Sequence, residues 1–164
     1  ALGFQHNFAS SLNNRASVME YPTPRVKVKG GRIDLSESFQ TAIGAYDTMM
    51  VRYAYTPLAD EAAGLEAIIQ DMHRQGLIFV PETDPRWTWY DDRATPVEGL
   101  GEALAARRIL IANYGPSSVL KAGEPLGELR NARLWMVYLH HRYQVESAVK
   151  YIGGLYTDIV AKGE

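Results

Sequence analysis

Beyond Ser36 the apolar residues of this chain recur at three- and four-residue spacing, in runs that each end at a glycine or a proline. That period lays one apolar stripe along each helix, so the sequence predicts a mainly α-helical unit of four helices held together by those stripes. The first run, 36–55, aligns Phe39, Ile43, Tyr46, Met50 and Tyr53 and meets Thr56-Pro57, where the residue before proline leaves helical geometry. The second, 60–75, has Asp60 as N-cap, Leu65, Ile68, Ile69 and Met72 as its inner face, and Gly76 as a left-handed stop. These two should pack as a helical hairpin. Thr95-Pro96-Val97-Glu98 is a capping box with proline in the first helical position, which starts a third helix over 96–114, ended by Gly115-Pro116. The fourth, 126–152, stacks Leu134, Tyr138, His141, Val145, Ala148, Val149 and Ile152 before Gly153-Gly154 stops it.

The N-terminal third is different, with glycine, proline and asparagine in place of helical periodicity. Val26, Val28, Ile33 and Leu35 alternate around Lys29-Gly30-Gly31, the pattern of a short β-hairpin over 25–35. Leu77 to Val80 suits a short strand, and Pro81 to Arg93, with Trp87 and Trp89, reads as a long surface loop. Composition narrows the function classes. Lysine plus arginine (17) nearly balance aspartate plus glutamate (19), so the net charge of -2 offers no general attraction for nucleic acid or anionic membranes. No run reaches the roughly 18 apolar residues that a membrane span needs. With no cysteine in the chain, disulfides and thiolate metal sites are excluded, so any zinc would rest on histidine, carboxylate or water.

The first six residues, Ala1-Leu2-Gly3-Phe4-Gln5-His6, place a glycine three positions before a histidine, and Ser17-Val18-Met19-Glu20-Tyr21 follows shortly after. Together they resemble the metzincin signature, in which H-E-x-x-H-x-x-G-x-x-H is followed by a Met-turn. The match to x-x-G-x-x-H is complete, so the resemblance implies that an H-E-x-x-H motif ends immediately before Ala1. Gly3 would let the chain turn sharply, His6 would be the third zinc ligand, and Met19 would form the apolar floor under the metal. Tyr21 matches the tyrosine of the astacin version of the turn and would stabilise the oxyanion. Gly3 to Phe8, Ser17 to Pro22, Ile43 to Asp47, Arg107-Arg108-Ile109 and His141 to Glu146 further resemble large bacterial zinc-dependent metalloproteases with a helical C-terminal extension.

The resemblance implies a division into 1–35, carrying the end of the zinc motif, the Met-turn and the hairpin, and 36–164, a helical C-terminal subdomain. It implies a zinc metalloendopeptidase acting on peptide or protein substrates, exported to the periplasm or beyond. Residues 1–164 alone should be inactive, with residues 1–24 disordered or self-associating through Phe4, Phe8 and Met19. Two other readings stand beside it: a non-catalytic helical binding module that presents Trp87 and Trp89 to a partner, and an inactive descendant that has lost the metal. His140 and His141 are adjacent on a helix and about 100° apart, so they do not chelate one ion, and His141 is expected to be a hydrogen-bonded residue of the apolar stripe. Arg107 and Arg108 read as a solvated or salt-bridged face, Glu20 as solvated, and Asp84, Asp91 and Asp92 as plain surface, since they lack the dense alternation of a calcium loop.

Overall fold

Gly30 and Gly31 sit at φ 56° and 74°, the left-handed region that a two-residue hairpin turn requires at both central positions. Around them β1 (Lys27–Lys29) pairs antiparallel with β2 (Arg32–Asp34), Lys27 opposite Asp34 and Val28 opposite Ile33, as the alternation predicts. The computed structural model that carries this hairpin describes residues 3–13, 17–21, 23–89, 93–119 and 121–157. Everything else regular in it is helical, so the fold is mainly α with one short two-stranded sheet near the N-terminus. No helix among the described residues is long and apolar enough to cross a membrane.

Helix α1 (Ala45–Tyr55) begins later than the periodicity from 36 predicts. The cause is competition for the backbone. Arg25 N donates to Ser38 O at 2.9 Å, and Ser38 Oγ donates back to Arg25 O at 3.0 Å, which holds the segment after the hairpin against the chain before it. The helix then starts where the Asp47 carboxylate accepts from Gly44 N at 2.7 Å. Phe39 and Ile43 consequently lie outside the helix, 73% and 65% exposed, instead of continuing its stripe. Helix α2 (Glu61–Arg74) matches its expectation closely: Asp60 Oδ1 accepts from Ala63 N at 3.1 Å, and Gly76 takes φ 70° beyond the C-terminus. The two helices form the expected hairpin around Tyr46, Met49, Ile68, Met72 and Leu77. Leu77 and Val80 are buried without forming a strand.

Helix α3 (Pro96–Ala112) is capped by Thr95, whose side chain accepts from Glu98 N at 3.2 Å. Its inner face is made of small residues, Gly99, Ala103 and Ala106, which lets the final helix approach closely through its buried Ser147. The last helical region is not the continuous 126–152 rod that its periodicity suggests. It is a π-helix over Leu129–Leu134, then α4 (Trp135–Tyr138) and α5 (Arg142–Val149). Arg107 explains the break: its Nε donates to Tyr138 O at 2.7 Å, and Arg142 N turns to Leu139 O at 3.0 Å. The guanidinium also lies 4.8 Å over the Tyr138 ring, so Arg107 is a clamp between α3 and α4 and not a solvated charge.

The rotation of this region also differs from expectation. Leu134, Tyr138, Val145, Val149 and Ile152 are exposed, while Val137, His140, Gln144 and Ser147 turn inward. Polar side chains set that rotation. Arg133 reaches Ser118 O and Glu124 Oε1, each at 2.6 Å, and pulls its own face toward α3 in place of the more apolar stripe. His141 occupies the N-cap position of α5, half-buried. Its Nδ1 meets no hydrogen-bond partner among the described residues, contrary to the hydrogen-bonded role expected for it.

Residues 81–89 form a loop, as expected, but one anchored inward: Asp84, Pro85 and Thr88 are buried while Glu82, Thr83 and Trp89 stay exposed. Asp84 is fully buried and holds Arg86 through two side-chain bonds, Nε to Oδ1 at 2.9 Å and Nη2 to Oδ2 at 2.7 Å. Its carboxylate also accepts from Arg86 N at 2.9 Å and from Thr157 N at 2.8 Å, which ties the loop to the segment after α5. There Gly154 packs so tightly that a Cβ would stand 2.4 Å from Lys150 O and 2.9 Å from Pro85. Asp91 and Asp92 lie outside the described residues. Burial raises the Asp84 pKa, but the Arg86 guanidinium and the backbone donors outweigh it and hold the carboxyl at about 2. A pKa lowered on folding stabilises the protein above the unfolded value near 4, and that stabilisation disappears as pH falls through about 2. By this linkage, the loss of unfolding free energy from pH 5 to pH 2 should be about 2 kcal/mol smaller in Asp84→Asn than in the wild type. Equal pH dependence in urea titrations of the two proteins would mean that this carboxylate is not the latch.

Candidate active site

His6 lies on an irregular stretch whose own backbone offers little support, so the neighbouring side chains determine where it sits. Asn7 is fully buried; its Nδ2 donates to Ile78 O at 2.9 Å, and its Oδ1 accepts from Ala9 N at 3.4 Å. Phe8 is buried between Trp87 and Trp89, with ring centroids 4.6 and 4.4 Å away, and Thr88 N donates to Phe8 O at 3.1 Å. Immediately after the histidine, therefore, the chain is pinned to the 78–89 segment. Phe8 was expected to be laid bare and is not. Gly3, with φ 76°, adopts a conformation that disfavours other residues, which suits a sharp turn before His6.

The imidazole is held from a second direction. His6 Nδ1 is 2.6 Å from Met19 O. A carbonyl only accepts, so in the neutral ring the hydrogen is on Nδ1 and the lone pair on Nε2. Tyr21 Oη, 2.9 Å from Nε2, donates to that lone pair. The structure thus brings His6, Met19 and Tyr21 together; the contact that Met19 makes with His6 is through its backbone carbonyl.

The turn carrying Met19 is stitched to α1. Ser17 is buried and its Oγ donates to Asp47 Oδ1 at 2.7 Å, Val18 N donates to Asp47 Oδ2 at 2.9 Å, and Met19 N donates to Ser17 Oγ at 2.9 Å. Glu20 is buried too, 6% exposed, against the expectation of a solvated side chain. Tyr21 remains 55% exposed, with its ring 4.7 Å from His6 and parallel to Trp89 within 6° at 6.0 Å. The site is an aromatic shelf of Phe8, Trp87, Trp89 and Tyr21 with the His6 nitrogen at its edge.

Sequence reasoning did not find Asp47, Asn7 or the Trp pair as parts of this site. Asp47 stood in Ile43-Gly44-Ala45-Tyr46-Asp47, which carried family likeness and no hint of contact with a turn 30 positions earlier. Among the described residues no three His, Cys, Asp or Glu side chains converge as a metal-binding group. What is present fits a single histidine ligand, because a metal-binding imidazole has its second nitrogen fixed by a carbonyl or carboxylate, as Met19 O fixes Nδ1 here. His140 is elsewhere, lining a groove of about 480 Å³ with Arg25, Trp135 and Tyr143, and burial and the adjacent His141 lower its pKa.

The chain matches the family described as Met-zincin over residues 1–164. No curated protein and no solved structure matches it.

The ring cluster behind the site can be tested by its stability. Phe8→Ala removes the buried ring that separates Trp87 from His6 and should cost about 3–5 kcal/mol in urea unfolding. A loss below about 1 kcal/mol would show that the cluster does not hold this stretch in place.

Proposed function

The chain belongs to the Met-zincin family, and from that premise we propose that it forms the C-terminal part of a zinc endopeptidase in which His6 is a ligand of the catalytic zinc. The observation that carries this reading is the orientation of one imidazole. Met19 O takes Nδ1–H, and Nε2 is left with its lone pair pointed at the hydroxyl of Tyr21. Gly3 and His6 supply the end of the zinc motif, and Met19 the turn beneath it. Residues 1–164 hold no His-Glu-x-x-His, the motif that supplies two further ligands and the general base in this type of site.

Zinc at such a site acts as a Lewis acid toward the scissile carbonyl and water. The chain's own residues do the rest. His6 offers Nε2 in a fixed tautomer. With Nε2 as a ligand, the Tyr21 O–H that now donates to it would be free for an oxygen of the substrate, including the oxyanion that develops in peptide hydrolysis. Phe8 and Trp89 pack against the Tyr21 ring and hold the phenol beside His6. Peptide or protein is the substrate class, and export is the location we propose. That Trp87 and Trp89 pack on Phe8, and Trp89 on Tyr21, supports this reading over a binding module that would display them to a partner.

In the full-length protein, His6→Ala should lower both zinc content and proteolysis, because catalytic zinc normally keeps three protein ligands. Tyr21→Phe should retain zinc and reduce kcat about 100-fold. A Tyr21→Phe enzyme with wild-type turnover would remove the oxyanion role. Residues 1–164 alone should show no chelator-sensitive peptidase activity, since one ligand of three is present and the general base is absent; such activity together with stoichiometric zinc would overturn the assignment.

A further inference from the structure

Asp47 uses more hydrogen bonds than its helix needs. Its carboxylate accepts three donors: Gly44 N at 2.7 Å, Val18 N at 2.9 Å and Ser17 Oγ at 2.7 Å. The first is a helix cap, the usual business of a carboxylate in the first turn. The other two cross to the turn that carries Met19 and do nothing for α1. Resting on the proposed function above, we infer that Asp47 is a positioning residue for the zinc site, acting on His6 through Ser17 and Met19.

The direction of each bond makes the relay specific. A carboxylate can only accept, so the Ser17 hydroxyl must point its hydrogen at Asp47. Its oxygen then has a lone pair for Met19 N, which it takes at 2.9 Å. With Val18 N on Asp47 and Met19 N on Ser17 Oγ, the turn is held so that the carbonyl of Met19, in the next peptide unit, accepts His6 Nδ1–H at 2.6 Å. The imidazole is thereby set in the tautomer that leaves Nε2 unprotonated. Asp47 thus acts by position: it anchors Ser17 and Val18, the turn so held places Met19 O on Nδ1, and that acceptor-only carbonyl leaves the lone pair at Nε2. Both Ser17 and Asp47 are buried, so water does not compete for these bonds as it would on the surface.

The test separates this relay from simple stability. Asp47→Asn can still accept from Gly44 N and Val18 N through its amide oxygen, but presents an NH2 to Ser17, whose hydroxyl loses the carboxylate it donates to, so the turn is held less firmly. Ser17→Ala deletes the hydroxyl and leaves the cap of α1 intact. Asp60→Ala, which removes the cap of α2 far from the relay, serves as the stability control. In the full-length protein, zinc affinity by chelator competition should fall about 10- to 100-fold in Asp47→Asn and in Ser17→Ala, and stay at the wild-type value in Asp60→Ala. In the metal-free proteins, the 15N shifts of the His6 ring should show the Nδ1–H tautomer in the wild type and Asp60→Ala, and a mixture in the two relay variants. Wild-type affinity and tautomer in folded Asp47→Asn and Ser17→Ala would overturn the inference, as would an equal loss of zinc in Asp60→Ala. If His6→Ala bound zinc as tightly as the wild type, the zinc assignment itself would fail, and the ring shifts would still decide whether Asp47 sets the tautomer.

Discussion

An irregular turn becomes rigid only when groups outside it take up the hydrogen-bonding capacity that a helix or sheet would otherwise satisfy. The turn at 17–21 has no ladder, and the Asp47 carboxylate supplies what is missing by accepting from Val18 N and from Ser17. The stretch at His6 to Ala9 has no ladder either; Asn7 to Ile78 O and Thr88 N to Phe8 O do the same for it. Each of these partners belongs to the sequence beyond Ser36. The two short segments that carry His6 and Met19 are therefore positioned by the helical part of the chain, and their geometry depends on α1 and the 77–89 segment folding correctly.

Local signals were legible where the residues that decide a structure are themselves close in sequence. The Gly30-Gly31 turn, the Asp60 and Thr95 caps and the stop at Gly76 all act within a few positions, and the structure has each of them where the sequence places it. Where distant groups decide, the local pattern misleads. Periodicity from Phe39 onward is compatible with helix, but Arg25 claims Ser38 and moves the start to Ala45. In the last helical region the apolar stripe of Leu134, Tyr138, Val145 and Val149 loses the inward position to a face set by Arg133 and Arg107, whose partners lie 15 and 31 residues away. A guanidinium that must reach a particular carbonyl fixes rotation more strictly than an apolar stripe, which is satisfied by any nonpolar contact.

The candidate site divides in the same way. Gly3, His6, Met19 and Tyr21 were readable because a family resemblance attaches meaning to their spacing, and the contacts His6 to Met19 and His6 to Tyr21 join residues 13 and 15 apart. Composition and periodicity alone would have left His6 as one histidine among four. Asp47 was invisible for a physical reason: an aspartate in the first turn of a helix is already explained by capping, so nothing in the sequence calls for a second role. Trp87 and Trp89 were read as loop aromatics because Asp84, Pro85 and Thr88 around them are residue types usually found at the surface. Burial of that loop depends on Arg86 and Thr157, and only the folded chain brings the second of these near.

That loop shows why the helical part belongs to the site's architecture. Lys150, at the end of α5, donates to Glu82 O at 3.0 Å and Trp87 O at 2.6 Å and lies 5.0 Å from the centre of the Trp87 ring. Burial pushes the Lys150 pKa down, a cost that two carbonyls and an aromatic face help to offset. Lys150 and the Asp84 carboxylate hold the loop from two sides, one through its carbonyls and the other through Arg86 and Thr157. Because Trp87 and Trp89 cannot shift without disturbing those bonds, they form a fixed wall for Phe8, which in turn fixes the backbone next to His6. Packed interiors transmit displacement instead of absorbing it. The end of α5 is thus linked to the imidazole by a continuous run of contacts, from Lys150 to Trp87, from Trp87 to Phe8 and from Phe8 to His6, although residues 142–157 place no group at the imidazole itself.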